Sequence, residues 1–355
     1  MKVVISAGGS GGHIYPALAI LNKIKEKEKN VEVLYIGTTN RMEKDIIPSL
    51  GIPYYGIEIY GLERKITLSN IKTITKYSNS IKKCKKIIKE FKPDIVIGAG
   101  GYVTAPVIYA AKKCGFKTLI HEQNSTLGLS NKMLLKYTDT LCTSFQNMKF
   151  EKVNTVYTGN PQSENAKNAK KANKKDYNLS LNKKLVLIVM GSLGSKTVND
   201  VLKDAINKFD DNYEVLIVTG KSHFDEFKNV KKKENVFIEP YIDNLPSLLK
   251  VTDLLVTRAG ATTISEIVAT NTSSLFIPSP YVTENHQYKN AMSLVKEGAG
   301  EILEEKDLTS SSLVKKIDTL INDEKFLKES KKNLKKFNIE NSSEKIYEEI
   351  IKLTS

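Results

Sequence analysis

Cysteine is scarce in this chain, and the three present, Cys84, Cys114 and Cys142, are scattered without the spacing of a metal site or a disulfide framework. They suit a reducing compartment and structural roles. No apolar run approaches the roughly twenty residues that cross a bilayer, which excludes a membrane-spanning helix. No Asp-x-Asp pair occurs, so no resident metal is expected. There is no short-period repeat, and the chain enters an apolar strand-like run at Lys2, so no secretory leader is expected.

What is present is 355 residues, 40% of them apolar, which is more than one core usually organises and implies two domains. Apolar β-rich runs alternate with helical patterns in both halves, as in parallel sheets covered by helices. Strands are expected at 2–6, 31–36, 94–97, 118–121 and 140–143, then at 184–190, 213–218, 236–239, 253–256, 273–277 and 301–303. Residues 1–161 form one domain and 184–341 the other. The polar, lysine-rich 162–183 is the linker and lead-in, and a last helix at about 342–355 packs on either domain.

The formal charge of +14 is partly clustered between Arg64 and Lys92, where Ile71, Ile74, Ile81, Cys84, Ile88 and Phe91 recur at helical spacing. Two readings stand: a basic amphipathic helix lying on anionic headgroups, or an apolar stripe packed on its own domain beneath solvated lysines. Few aromatics sit among these lysines, which counts against nucleic acid.

In open parallel sheets ligands bind beyond the carboxyl ends of the strands, so the residues after each strand are the candidates. After the first strand come Gly8, Gly9, Ser10, Gly11, Gly12 and His13. This glycine-rich turn into a helix lets backbone approach phosphate or sugar, and His13 adds a titratable group. After the third come Gly100, Gly101 and Tyr102, and after the fourth His121, Glu122, Gln123 and Asn124, a run of polar groups that is costly without partners. The second half repeats the pattern with Gly191, Ser192, Leu193, Gly194 and Ser195, whose spacing is not that of a P-loop. Arg258 to Glu266 give another helix-opening turn, suited to a diphosphate at the helix start and a ribose on the carboxylate. Polar groups, Glu284 to Gln287, also follow the Pro278-Ser279-Pro280 turn. A dinucleotide oxidoreductase is disfavoured: the first loop does not fit G-x-G-x-x-G cleanly, and the second strand ends in Ile36-Gly37-Thr38-Thr39 without a ribose-binding acid.

Taken in order, Gly8 to His13, Gly100 to Val103, His121 to Asn124, Thr158-Gly159-Asn160-Pro161, Gly191 to Gly194 and Arg258 to Glu266 resemble the MurG family of peptidoglycan N-acetylglucosaminyltransferases over nearly the whole chain. His286-Gln287 with Asn290-Ala291 is similar to the form in Gram-positive members. The resemblance implies an α/β GT-B fold, two Rossmann-like domains with parallel sheets facing a central cleft. It implies inverting transfer of GlcNAc from UDP-GlcNAc to the 4-hydroxyl of MurNAc in lipid I, giving lipid II, without a cofactor. The implied partners are UDP-GlcNAc, lipid I, the anionic membrane surface and other cell-wall synthesis proteins, with peripheral placement on the cytoplasmic face. Nucleic acid is not among them. A soluble UDP-sugar epimerase or hydrolase of the same fold, or a glycolipid synthase with another lipid acceptor, is the alternative.

By the same resemblance Ile242 meets uracil through its backbone, Glu266 the ribose, and Ser192 with Ala261, Thr262 and Thr263 the diphosphate, with Ile264 and Ser265 also among the donor-binding residues. Gln287 reaches the GlcNAc hydroxyls, and Asn124 with Ser10, Gly11 and Gly12 closes over the sugar. Gly8, Gly9, Gly100, Gly101, Tyr102 and His121 are the acceptor contacts. His13 is the expected general base and Glu122 the second candidate. One departure stands out: the arginine usual after the Gly-Asn-Pro turn is absent, since Gln162 and Ser163 follow Pro161, and Arg258 or a linker lysine is the candidate replacement.

Overall fold

The structure, a computed structural model, describes residues 1–59, 68–146, 148–191 and 193–355, with the side chains of 68–75 left aside. Arg64, Ser192 and the side chains of Ile71 and Ile74 therefore lie outside the described residues. The chain forms two compact units, residues 1–162 with 339–355, and residues 163–338.

The first unit is built on seven strands: β1 (Lys2–Ser6), β2 (Glu32–Thr38), β3 (Tyr54–Ile57), β4 (Ile95–Gly98), β5 (Lys117–Glu122), β6 (Thr140–Thr143) and β7 (Asn154–Tyr157). They run parallel in the order β3-β2-β1-β4-β5-β6-β7. Helices cover the sheet, so central strands such as β4 are buried at every residue and read as unbroken apolar runs. The edge strands β3 and β7 were not expected from the sequence. Both are only partly buried, and they carry too little continuous apolar character to stand out.

The core under β1 gathers Val3, Ile5, Ile14, Ala17, Leu21 and Ile24 with Ile346 and Ile350 of the last helix, Ser342–Thr354. That helix lies on Gly11–Lys27, where Glu344 pairs with Lys27 at 2.7 Å. The returning chain crosses Gly159, whose backbone has φ +78° and where a Cβ would sit 2.5 Å from Ser342 Oγ.

The second unit has six parallel strands, β8 (Lys184–Val189), β9 (Tyr213–Val218), β10 (Val236–Glu239), β11 (Leu254–Thr257), β12 (Ser274–Phe276) and β13 (Glu301–Ile302), in the order β10-β9-β8-β11-β12-β13. Both sheets therefore reverse their winding once, between β1 and β4 and between β8 and β11. Such switch points open a crevice at the carboxyl ends of the strands.

The 24-residue helix Leu68–Phe91 carries much of the basic cluster. In its described part Cys84 and Ile88 are fully buried, while Lys82, Lys83 and Lys86 point outward. This part of the stripe packs on the protein itself, beneath outward-facing lysines. No helix among the described residues is long and apolar enough to cross a membrane.

Candidate active site

At the first switch point the turn after β1 packs directly on the turn after β4. Gly8 N–H donates to Gly100 O at 3.2 Å. Gly101 has φ +89°, and a Cβ there would lie 2.4 Å from Gly8 O, so this expected acceptor glycine is required by the approach of the Gly8 backbone. Gly9, Ser10 and Gly12 remain exposed on the turn, and Tyr102 is exposed beside it. His13, in the first turn of the Gly11–Lys27 helix, is half-buried with Nδ1 3.0 Å from Gly8 O and 3.5 Å from Ser10 Oγ. A carbonyl oxygen can only accept, so Nδ1 carries the proton and Nε2 of the neutral ring carries the lone pair.

The sequence reading missed Glu43. It opens the Glu43–Ser49 helix and is completely buried. One oxygen accepts from Thr38 N–H at 3.1 Å and Thr38 Oγ1–H at 2.6 Å, the other from Gly9 N–H at 3.1 Å. The acid absent from the end of the second strand thus arrives five residues after Thr38 and turns inward to the glycine loop. An acid in the first turn of a helix, two charged residues ahead of Ile46-Ile47, was the available signal, and it reads equally well as a solvent-facing first-turn residue.

At the end of β5 the structure corrects two expectations. His121 is fully enclosed, with Nε2 donating to Gly159 O at 3.0 Å and Nδ1 accepting from Gln123 at 3.0 Å. Burial lowers its pKa and keeps the ring neutral, so it braces the Gly159 turn and does not face an acceptor. Glu122, the second candidate base, is buried and accepts four hydrogen bonds: Asn124 N–H at 3.0 Å, Asn124 Nδ2 at 3.1 Å, Gly128 N–H at 3.0 Å and Asn131 Nδ2 at 2.8 Å. It shapes the loop that carries Asn124. Glu122→Ala is expected to leave these donors unmet and lower stability by about 3 kcal/mol, roughly 10 °C in melting midpoint. A midpoint unchanged in calorimetry would show that the loop does not depend on this carboxylate.

In the second unit the loop after β8 leads through Ser195, with extended backbone, into the Lys196–Ala205 helix. Arg258, just beyond β11, is buried and already committed. Its Nη2 donates to Ser195 Oγ at 2.8 Å, its Nη1 to Ile277 O at 2.9 Å, and it pairs with Glu305 at 2.6 Å. It fastens the β8 loop to β11 and β12, which corrects the expectation that it replaces the missing arginine. Gln162, standing where that arginine is usual, donates to Tyr15 O at 2.6 Å.

Gly260 precedes the Ala261–Thr270 helix, whose first turn, Ala261 to Thr263, is partly exposed. Thr262 Oγ1 is buried with no hydrogen-bond partner among the described residues. Four residues on, along the same helix face, no described residue bonds to the Glu266 carboxyl, and burial alone pushes it up to about 7. Ile264 and Ser265 are buried, which leaves their backbone as the part a ligand could use. Ile242 is also buried, in the loop beyond β10. Gln287 accepts from Ser279 N–H at 2.9 Å, and Asn290 donates to Ala259 O at 3.1 Å, so the His286–Val295 helix steadies both neighbouring turns.

The sequence-predicted groups thus collect at the carboxyl end of each sheet, apart from Ser192, which the structure does not describe. Helix starts and glycine turns suit a diphosphate, a carboxyl with no partner among the described residues suits a pair of hydroxyls, and a half-buried imidazole suits proton transfer.

Comparisons with known proteins give the family. Residues 3–143 match the glycosyltransferase family 28 N-terminal domain, and 185–346 the family 28 C-terminal domain. A Bacillus cereus protein named UDP-N-acetylglucosamine--N-acetylmuramyl-(pentapeptide) pyrophosphoryl-undecaprenol N-acetylglucosamine transferase 1 is 45% identical, covering 99% of both chains. A Bacillus licheniformis transferase of the same name without the numeral is 43% identical over 98% of this chain and 97% of its own. Among solved structures, Acinetobacter baumannii MurG superposes with a TM-score of 0.83 at 27% identity, covering 99% of each chain. The calicheamicin glycosyltransferase CalG4, at 12% identity and TM-score 0.73 over 99% of this chain and 98% of its own, shares the fold alone. With both halves matched and full-length relatives above 40% identity, the chain belongs to glycosyltransferase family 28, among the MurG enzymes of GT-B fold.

Proposed function

We propose that this enzyme transfers GlcNAc from UDP-GlcNAc to the 4-hydroxyl of MurNAc in undecaprenyl-pyrophosphoryl-MurNAc-pentapeptide, forming lipid II. The observation that carries the reading is the 45% identity, from end to end, with a transferase named for that donor and acceptor. The site chemistry supports it. In a direct displacement the acceptor O4–H proton goes to His13 Nε2 while O4 bonds to the anomeric carbon. The bond from that carbon to the diphosphate oxygen breaks with inversion, and UDP leaves with the electron pair. The start of the Ala261–Thr270 helix favours the added negative charge. Glu266 and Thr262 take ribose and diphosphate and Gln287 the GlcNAc hydroxyls, and Gly9 lies on the acceptor side of the reaction.

The test is transfer of labelled GlcNAc to a short-chain lipid I analogue. Formation of the disaccharide-lipid is expected. Release of free sugar or of an epimer without transfer would overturn the activity and favour the soluble alternative.

The acceptor's lipid anchor places the enzyme on the cytoplasmic membrane face as a peripheral protein, with other cell-wall synthesis proteins nearby. Lys82, Lys83 and Lys86 supply outward charge, and exposed Leu129 and Met133 supply apolar contact. Neutralising Lys82, Lys83, Lys85 and Lys86 together is expected to weaken co-sedimentation with anionic vesicles at least tenfold, at about 1 kcal/mol per cation. Binding that is unchanged, or insensitive to salt, would remove this surface from the account.

A further inference from the structure

Glu43 and His13 grip opposite ends of one peptide group. The Gly8–Gly9 peptide carries Gly8 C=O, which accepts from His13 Nδ1 at 3.0 Å, and Gly9 N–H, which donates to Glu43 at 3.1 Å. The neighbours of this peptide approach closely enough to demand glycine at three positions. A Cβ on Gly8 would stand 2.3 Å from Glu43 Oε1, one on Gly100 2.5 Å from His13 Cδ2, and one on Gly101 2.4 Å from Gly8 O. Three glycines in two separate loops are thus required by the approach of a carboxylate, an imidazole and the peptide between them.

We infer that Glu43 is a positioning residue for His13, acting through the Gly8–Gly9 peptide as a carboxylate–peptide–imidazole relay. The inference rests on the reading of His13 as the base. A carboxylate accepting from the N–H of a peptide increases the negative character of its C=O, since hydrogen bonds in a chain polarise one another. The more negative carbonyl holds Nδ1–H more firmly, fixes the tautomer with the lone pair on Nε2, and favours the imidazolium that forms when Nε2 takes the acceptor proton. Glu43 meets three donors and needs to supply none, which is the pattern of an ionised carboxylate.

The other titratable groups packed on the loop do not compete. Tyr35 donates to Ala7 O and Tyr54 to Thr38 O, and both phenols are held far above their ordinary range by burial first and then by the charge of Glu43. They stay neutral throughout the working pH range. Asp45 acts on Tyr54 from the same helix as Glu43, and Tyr102 lies exposed on the neighbouring turn.

Glu43→Gln separates this role from scaffolding, because an amide keeps the volume but must turn one NH2 toward a backbone N–H. The full-length protein labelled with [15N]histidine, with His13 assigned by its loss in His13→Gln, is expected to show Nδ1 protonated and Nε2 bare above pH 8. In Glu43→Gln the tautomers should mix, kcat should fall about 10- to 100-fold with KM for UDP-GlcNAc unchanged, and the acid limb of kcat/KM should move to lower pH. Glu43→Asp should recover part of the loss. A wild-type His13 protonated on Nε2 overturns the relay even if Glu43→Gln does not fold. A folded Glu43→Gln with wild-type tautomer and pH profile overturns it as well. Should His13→Ala retain full transfer, the base reading fails, and the tautomer spectra still decide whether Glu43 orders the ring.

Discussion

His13→Ala is expected to lower kcat for GlcNAc transfer by about 10²- to 10⁴-fold, the usual range for losing a positioned general base, with KM for UDP-GlcNAc little changed. The ribose and diphosphate contacts proposed above belong to the second unit, whereas His13 belongs to the first, so nucleotide binding and proton transfer should separate on substitution. In the neutral ring the Nδ1–H bond to Gly8 O fixes which nitrogen accepts a proton. His13→Asn keeps a hydrogen-bonding group near the carbonyl but offers no comparable base, and should be as slow as the alanine variant. Steady-state transfer to a soluble lipid I analogue is the measurement. A variant within about tenfold of wild type in kcat would move the base elsewhere, and the four donors already on Glu122 make that residue a poor successor.

Much of this was legible in the residues. Buried parallel strands are continuous apolar runs, so β1, β4, β5, β8 and β11 stood out, and the glycine turns beyond them marked the switch points. What could not be read is how each polar group is used. His121, Glu122 and Asn124 look equivalent in the sequence, yet burial turns the first two inward and leaves Asn124 partly exposed. Arg258 reads as a free cation until Glu305, 47 positions later, pairs with it. Glu43 is hidden for the same reason: its partner Gly9 is brought to it by the pairing of β1 with β2, and no local pattern encodes that. β3 and β7 escaped because an edge strand has only part of its surface to bury.

Glu266 should give the second large effect, and one with opposite signs for binding and stability. Its carboxyl is pushed up to about 7 by burial, with no described partner to hold the charge. Two ribose hydroxyls donating to it would favour the ionised form, so binding should expel a proton wherever the empty site still carries one. Affinity for UDP-GlcNAc is therefore expected to rise as pH climbs toward about 7 and to level off above it. Up to one proton should be released near pH 6, read by calorimetry in buffers of different ionisation enthalpy. Glu266→Gln should abolish both the release and this pH dependence, and Glu266→Ala should weaken binding about 100-fold, the worth of two charge-assisted hydrogen bonds. For stability the sign is reversed. A carboxyl raised on folding binds its proton more tightly in the native state than in the unfolded chain, where it titrates near 4.5. The stability it contributes is full below that value and is lost as pH rises through about 7. At pH 8 the empty enzyme holds a largely buried charge with no partner among the described residues, so Glu266→Gln should melt higher than wild type in the absence of ligand, while at pH 4 the two should coincide. Saturating UDP-GlcNAc should then raise the melting point of the wild type above that of the variant. A variant that melts lower at pH 8, or that still releases a proton on binding, would show that another group holds the ribose.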